Sequence, residues 1–216
     1  VVYPDYREIE KYTGVLYPYN LEQFRSRLEK AGMGSQAEDF HRASGLWSLQ
    51  LYKQDIEMDL RTPNMAGFQL LDLQDYPGQG SAYVGILDAF LDPKGLCTVR
   101  EWQQWCNDVV PLLVSPQYCF TNSEGLHAKI QVANYGGRSL QGKSLSWTLD
   151  GKTGKLTLPD GEGLLDAGTL DIDHSAYRQA TQLQLLLNID GTYYHNTYDL
   201  WVYPAEDPLD QQRQDI

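Results

Sequence analysis

The chain has 216 residues, 42% of them hydrophobic, and a formal net charge of −12 at pH 7. That length suits one large or two small domains, and the acidic balance argues against nucleic acid and against an anionic membrane surface, both of which are met by basic patches. No apolar run approaches the length of a membrane span, the start lacks the basic-then-apolar layout of a signal peptide, and a first residue other than Met reads as a processed chain or an excised piece of a longer one.

Residues 1–19 carry Pro4, Gly14 and Pro18 and read as loop, with a short helical turn around Asp5 to Tyr12. Asn20, with Gln23 three residues on, has the pattern of a capping box. It opens a helix whose Leu21, Phe24 and Leu28 recur at helical spacing until Gly32. Ser35 and Glu38 repeat the pattern ahead of a second helix, which runs to about Leu60 before Pro63 forbids more. Phe40, Ala43, Trp47, Leu51 and Met58 form one apolar stripe, broadened by Leu46, Leu49, Ile56 and Leu60. So broadly apolar a helix is expected between a sheet and neighbouring helices. His41 within it is expected at the surface or half-buried.

The stretch Gly67 to Gly80, GFQLLDLQDYPGQG, is the most informative in the chain. Its short apolar run from Phe68 to Leu73, broken early by Gln69, predicts a strand buried on both faces over 67–75. Asp72, Gln74 and Asp75 then sit at its C-terminal end, where (β/α)-barrels hold their ligands. The glycine-rich loop from Tyr76 to Gly95 lacks the GK[ST] of a phosphate loop, and a long ordered loop after a buried strand favours function. Thr98 and Glu101 form a third capping box, opening a helix over 98–110 that buries Val99, Trp102, Trp105 or Cys106, and Val109 and stops at Pro111. This order is the last part of a parallel α/β domain and cannot be the whole of one, because a lone strand has no partner for its backbone groups.

From Gln117 the rhythm changes to period two. Strands are predicted at 118–121, 128–133, 145–149, 155–158, 168–172, 183–189 and 193–202, with turns at Asp150-Gly151, Asp160-Gly161 and Asp190-Gly191. About seven short strands at that spacing predict an immunoglobulin-like sandwich with Trp147 and Trp201 in its core. Cys97, Cys106 and Cys119 cannot all pair, and no CxxC or Cys/His cluster suggests a metal site. The acidic, Gln-rich end, 205–216, reads as a linker.

The segments VVYPDYREIEKYTGVLYPYNLEQFR, QAEDFHRASG, YKQDIEMDLRTPNMAGFQLLDLQDYPGQGSAYVGILDAF and YDLWVYP together resemble bacterial glycoside hydrolases of family 2, the β-galactosidase-like group. The resemblance covers nearly all of residues 1–204, the third segment being its most specific part. It implies the C-terminal part of a (β/α)8 barrel over 1–115, mainly helical here, followed by an immunoglobulin-like antiparallel sandwich over 116–204, an α+β fragment. Such enzymes need two carboxyl groups roughly 5 Å apart when they act with retention. Both positions would precede Val1, so the resemblance implies no catalytic residue here, no cofactor and no metal, and a fragment inactive alone. What it does imply is a pocket rim beyond the eighth strand, Asp72, Gln74, Asp75, Tyr76 and Gln79, with the Tyr3 ring face nearby. The best-known members carry tryptophans where Leu70, Leu71 and Leu73 stand here, a departure that bears on the sugar recognised. The implied partners are a carbohydrate and the remaining domains of the same polypeptide, in a parent that is secreted or periplasmic.

A second reading is a non-catalytic carbohydrate-binding or scaffold module, suggested by Tyr193, Tyr194, Tyr198, Trp201 and Tyr203 in the last hairpin. A third is self-association through an open barrel face, which would be apolar.

Overall fold

The computed structural model describes residues 2–205; the expected linker falls, from residue 206, outside them. The chain divides into two compact units, one formed by Val1–Asp59 with Ala66–Trp102, the other by Leu60–Met65 with Gln103–Ile216.

The first unit is built of helices and loops. A 3-10 helix spans Tyr6–Lys11, and Asp5 caps it by accepting the Arg7 N–H at 3.0 Å. Helix α1, Tyr19–Lys30, buries Leu21 and Leu28. Pro18, not Asn20, stands at its N-cap. Proline fixes the helical φ and lacks an N–H that would need capping. The Asn20 amide is therefore free to donate to the Gly80 carbonyl (3.0 Å) and the Tyr83 hydroxyl, tying α1 to the long loop. The rings of Tyr3, Tyr6, Phe24, Phe40 and Tyr83 meet edge to face, with centroids 5.7 to 6.2 Å apart.

After a 3-10 turn at Gly34–Gln36, α2 runs from Ala37 to Arg61. Its buried residues are His41, Gly45, Leu49, Lys53, Ile56 and Glu57. At about 100° per residue that face lies nearly opposite the expected stripe: Trp47, Leu51 and Met58 of the stripe are exposed, while Leu49 and Ile56 from its expected flank are buried. Gly45 is the reason: a Cβ there would stand 2.3 Å from Leu96 Cδ2, so Leu96 packs directly on the helix backbone. Lys53 and Glu57, one turn apart on the same face, enter as a buried ion pair. His41 is buried as well, not at the surface.

The predicted strand 67–75 does not form. Its backbone makes one isolated bridge, Gln74 to Leu87, with loop bonds such as Asp75 N–H to the Leu87 carbonyl (3.1 Å). The predicted helix 98–110 shrinks to α3, Val99–Trp102, opened by the reciprocal Thr98–Glu101 bonds. Val109 and Val110 then begin a strand, since β-branched pairs favour the pleated surface.

The second unit is β-built. Strands β1 (Val109–Val114), β3 (Leu126–Asn134) and β6 (Gly163–Ile172) form an antiparallel sheet in the order β1-β3-β6. Strands β2 (Cys119–Thr121), β8 (His195–Tyr203), β7 (Thr181–Ile189), β4 (Ser144–Leu149) and β5 (Lys152–Thr157) form the second sheet in that order. Pro111 is tolerated because β1 is an edge strand. The β4–β5 hairpin turns on Asp150 and Gly151, both at positive φ (47° and 75°), as a two-residue turn of this twist requires. Leu113, Ile130, Val132 and Leu170 of the first sheet meet Leu145, Leu185, Leu187, Leu200 and Val202 of the second in one core. The sheets are also stitched by polar groups. Tyr198 on β8 accepts the Leu113 N–H (3.1 Å) and donates to the Pro111 carbonyl (3.3 Å), while Asn196 donates to the same carbonyl at 2.9 Å.

These elements overturn the expected fold class. Among the described residues strand outweighs helix, α2 is the one long helix, and no helical portion of a (β/α)8 barrel is present. A barrel stave needs a strand paired on both sides, and residues 67–75 make a single isolated bridge, Gln74 to Leu87. In the second unit one pairing departs from the expected all-antiparallel sandwich: the three-residue β2 runs parallel to β8.

Candidate functional site

Six residues are expected at a ligand rim. Four of them, Asp72, Gln74, Tyr76 and Gln79, lie along one loop with their side chains partly or fully exposed. Tyr76 lies within a tight turn: its N–H bonds the Ala82 carbonyl (3.2 Å), Gln79 N–H bonds the Tyr76 carbonyl (3.2 Å), and Ala82 N–H bonds the Gln79 carbonyl (3.0 Å). The Tyr76 ring folds back over Gly78, where a Cβ would stand 2.5 Å from Cζ. Behind this turn, Tyr52 donates to the Val84 carbonyl (2.5 Å).

The other two point inward. Asp75 is buried, with Oδ1 accepting from Lys94 Nζ at 2.7 Å and from Gly85 N–H at 3.0 Å. Burial pushes its carboxyl up, and Lys94 and the Gly85 N–H offset part of that rise. Lys94 also donates to the Gly85 carbonyl (2.9 Å). Gly85 admits no side chain, because a Cβ would lie 2.4 Å from the Gln74 backbone. Tyr3 sits in the aromatic cluster, its hydroxyl 2.7 Å from that of Tyr6. Asp75 and Tyr3 thus brace the loop and the first residues of the chain rather than face solvent.

Two hollows flank the 3-10 helix Tyr6–Lys11, and neither is apparent from spacing. One, of about 200 Å³, has His41, Asp5, Arg7 and Glu38 in its wall. His41 Nδ1 donates to the Tyr3 carbonyl at 2.7 Å, and its Nε2 is buried and unpartnered. The other, of about 360 Å³, has Glu8, Lys11, Asp88 and Lys94 in its wall. Asp88 Oδ1 accepts the N–H groups of Phe90 (2.8 Å) and Asp92 (2.9 Å), and Oδ2 pairs with Lys11. Burial opposes its ionisation, but Lys11 and those N–H groups hold the carboxyl below its usual range. The sequence signal for both hollows is faint: they arise where YREIEK, a stretch with no motif, coils against residues dozens of positions away.

In the last hairpin Tyr194 and Tyr198 are buried, while Tyr193 and Tyr203 are exposed. Among the described residues no group of three or more His, Cys, Asp or Glu is placed to hold a metal ion, and no helix is long and apolar enough to cross a membrane.

The family described as Domain of unknown function (DUF8488) matches residues 124–204. No curated protein matches the chain. Among solved structures, the chain is similar to the ZirS C-terminal domain, with 8% identity over 65% of this chain and 80% of that one and a TM-score of 0.28. It is similar to the endo-beta-1,4-mannanase from Thermotoga petrophila, with 11% identity over 89% of this chain and a TM-score of 0.34, and spans 45% of that enzyme's chain. It is similar to AvmM, which catalyses macrocyclization in alchivemycin A biosynthesis, with 7% identity over 47% of this chain and 92% of that one and a TM-score of 0.22. Likenesses this slight carry neither fold nor function across, and the matched family covers well under half of the chain.

Proposed function

We propose that this chain is a non-catalytic, sugar-binding portion of a larger polypeptide, with the loop 72–80 as its contact surface. The observation that carries this reading is the Tyr76 ring, exposed above Gly78 and beside the exposed Gln79 in a hydrogen-bonded turn. An aromatic face packs on the C–H face of a sugar, and amide and carboxylate groups match its paired hydroxyls. Asp72 and Gln74 extend that polar surface along the same loop. Asn20 pins the turn at Gly80, so little ordering entropy is lost on binding.

Titration calorimetry against gluco-, galacto- and manno-oligosaccharides tests the reading. Binding is expected to vanish in Tyr76→Ala and to persist in Tyr193→Ala. Loss with Tyr193→Ala instead would move the contact surface to the last hairpin, and binding to none of the sugars would refute the proposal. The chain is expected to leave aryl glycosides intact, and measurable hydrolysis would overturn its non-catalytic assignment.

A second reading concerns partners and rests on a separate observation. Trp47, Leu51 and Met58 of α2 and Phe68, Leu71 and Leu73 of the loop are exposed apolar residues of one unit. We propose that further domains of the same polypeptide cover them. In size-exclusion chromatography the chain alone is then expected as a monomer that binds a hydrophobic dye, the dye signal falling in Trp47→Gln. A dimer would assign the residues to self-association.

A further inference from the structure

We propose that the hollow beside the 3-10 helix Tyr6–Lys11 binds a small ligand bearing a primary ammonium group, with the Glu8 carboxylate as its anionic contact. Glu8 is 4% exposed and stands in the wall of this hollow of about 360 Å³. That volume is at the small end of the range for small-molecule sites.

The argument starts from how the neighbouring charges are matched. Arg7 clamps Asp5, with Nε 2.9 Å from both carboxylate oxygens and Nη2 2.6 Å from one. Lys11 bridges Asp88 and Asp92, the latter at 2.7 Å. Lys94 is held by Asp75 at 2.7 Å, both side chains buried. Each cation around the hollow is therefore committed to another carboxylate. Alone among these acids, the Glu8 side chain makes neither a hydrogen bond nor an ion pair among the described residues, its backbone N–H being bonded to the Asp5 carbonyl. A carboxyl group so enclosed is costly to ionise without a partner. Burial first, then repulsion from Asp75 and Asp88, raises Glu8 to about 7, with Lys94 pulling the other way and Asp5 adding to the rise. Burial pushes the phenols of Tyr12 and Tyr83 upward, and the Glu8 charge adds to both shifts.

What would satisfy this group is a positive charge carrying N–H donors, because charge-assisted bonds to a desolvated carboxylate are the strong ones. A bare divalent ion fits less well, since no third ligand converges with Glu8 among the described residues. A primary ammonium fits: one donor meets Glu8, and the rest of a small polar molecule lies against the already paired rim.

The experiment follows Glu side-chain carboxyl carbons by NMR in the full chain, titrated with pH in the presence of glucosamine, ethanolamine or glucose. Both amines are expected to lower the midpoint of Glu8 and to bind about ten to a hundredfold more weakly to Glu8→Gln. Glucose is expected to leave the midpoint in place. A midpoint unmoved by either amine overturns the proposal without recourse to any variant. So does an effect of glucose equal to that of glucosamine, or unchanged amine affinity in a folded Glu8→Gln.

Discussion

Tyr198→Phe isolates the polar stitch between the two sheets of the second unit. The ring stays, so its packing against Tyr118, parallel at 6.4 Å between centroids, is kept and no cavity opens. What goes is one oxygen, 2% exposed at the residue level, that accepts the Leu113 N–H and the Asn196 amide and donates to Pro111. The Pro111 carbonyl retains Asn196 at 2.9 Å, but the Leu113 N–H loses this partner inside the core. A buried donor so stranded costs about 1–3 kcal/mol. In urea, where the slope for domains of this size is about 1–3 kcal/mol per molar, the midpoint should fall by roughly 1 M. Hydrogen exchange at the Leu113 amide should accelerate in parallel. Tyr177→Phe is the reference: its hydroxyl meets Asp150 at 2.6 Å at the surface, and its loss should cost under about 1 kcal/mol. A Tyr198→Phe midpoint within error of the parent, or a larger loss in Tyr177→Phe, would refute the claim that this oxygen ties the sheets.

Two further outcomes follow. Lys94→Met leaves the Asp75 carboxylate buried without its cation, which should cost about 3–5 kcal/mol locally and appear as rapid proteolysis within 67–95. Proteolysis at the parent rate would show that the pair is dispensable. His174 is fully buried between Phe120 and Tyr177 with both ring nitrogens unpartnered. Burial, then Lys152, lowers its pKa, while Asp173 opposes the shift and His127 adds to it. The unfolded chain therefore takes this proton first as pH falls below about 6.5, so stability drops with acid and levels off below the depressed native value. Urea midpoints from about pH 8 to about pH 5 should slope accordingly and flatten in His174→Phe; an unaltered slope would assign the acid sensitivity elsewhere.

What can be read from sequence here is local chemistry. The Thr98–Glu101 pair and the Asp150-Gly151 turn are legible because cap and turn geometry depend on a few adjacent residues. The run from Phe68 to Leu73 misleads because an apolar run states a preference and pairing needs a neighbour; here it has one bridge. The stripe on α2 misleads for a related reason. Periodicity cannot tell which face is covered, and Gly45, receiving Leu96, decides it. Of the rim, Tyr76 and Gln79 are readable as turn residues near glycines. The inward turn of Asp75 depends on Lys94, nineteen positions on, which no spacing announces. Glu8 and His41 stay hidden because their distinction is a missing partner, a property of three-dimensional surroundings and not of the residue type.

The placement of β8 has a consequence for biosynthesis. This strand is flanked by β7 and β2, and its Tyr198 reaches Leu113, 85 residues earlier in the chain. Nascent β2 must therefore wait for its ladder partner until β8 has been made, and β1, although it can pair with β3 early, lacks its Tyr198 contact until then. Closure of so distant a contact is slow, and the waiting strands are open to intermolecular capture. Yield of soluble material should then depend more on translation rate and chaperone supply than on the strength of the finished core.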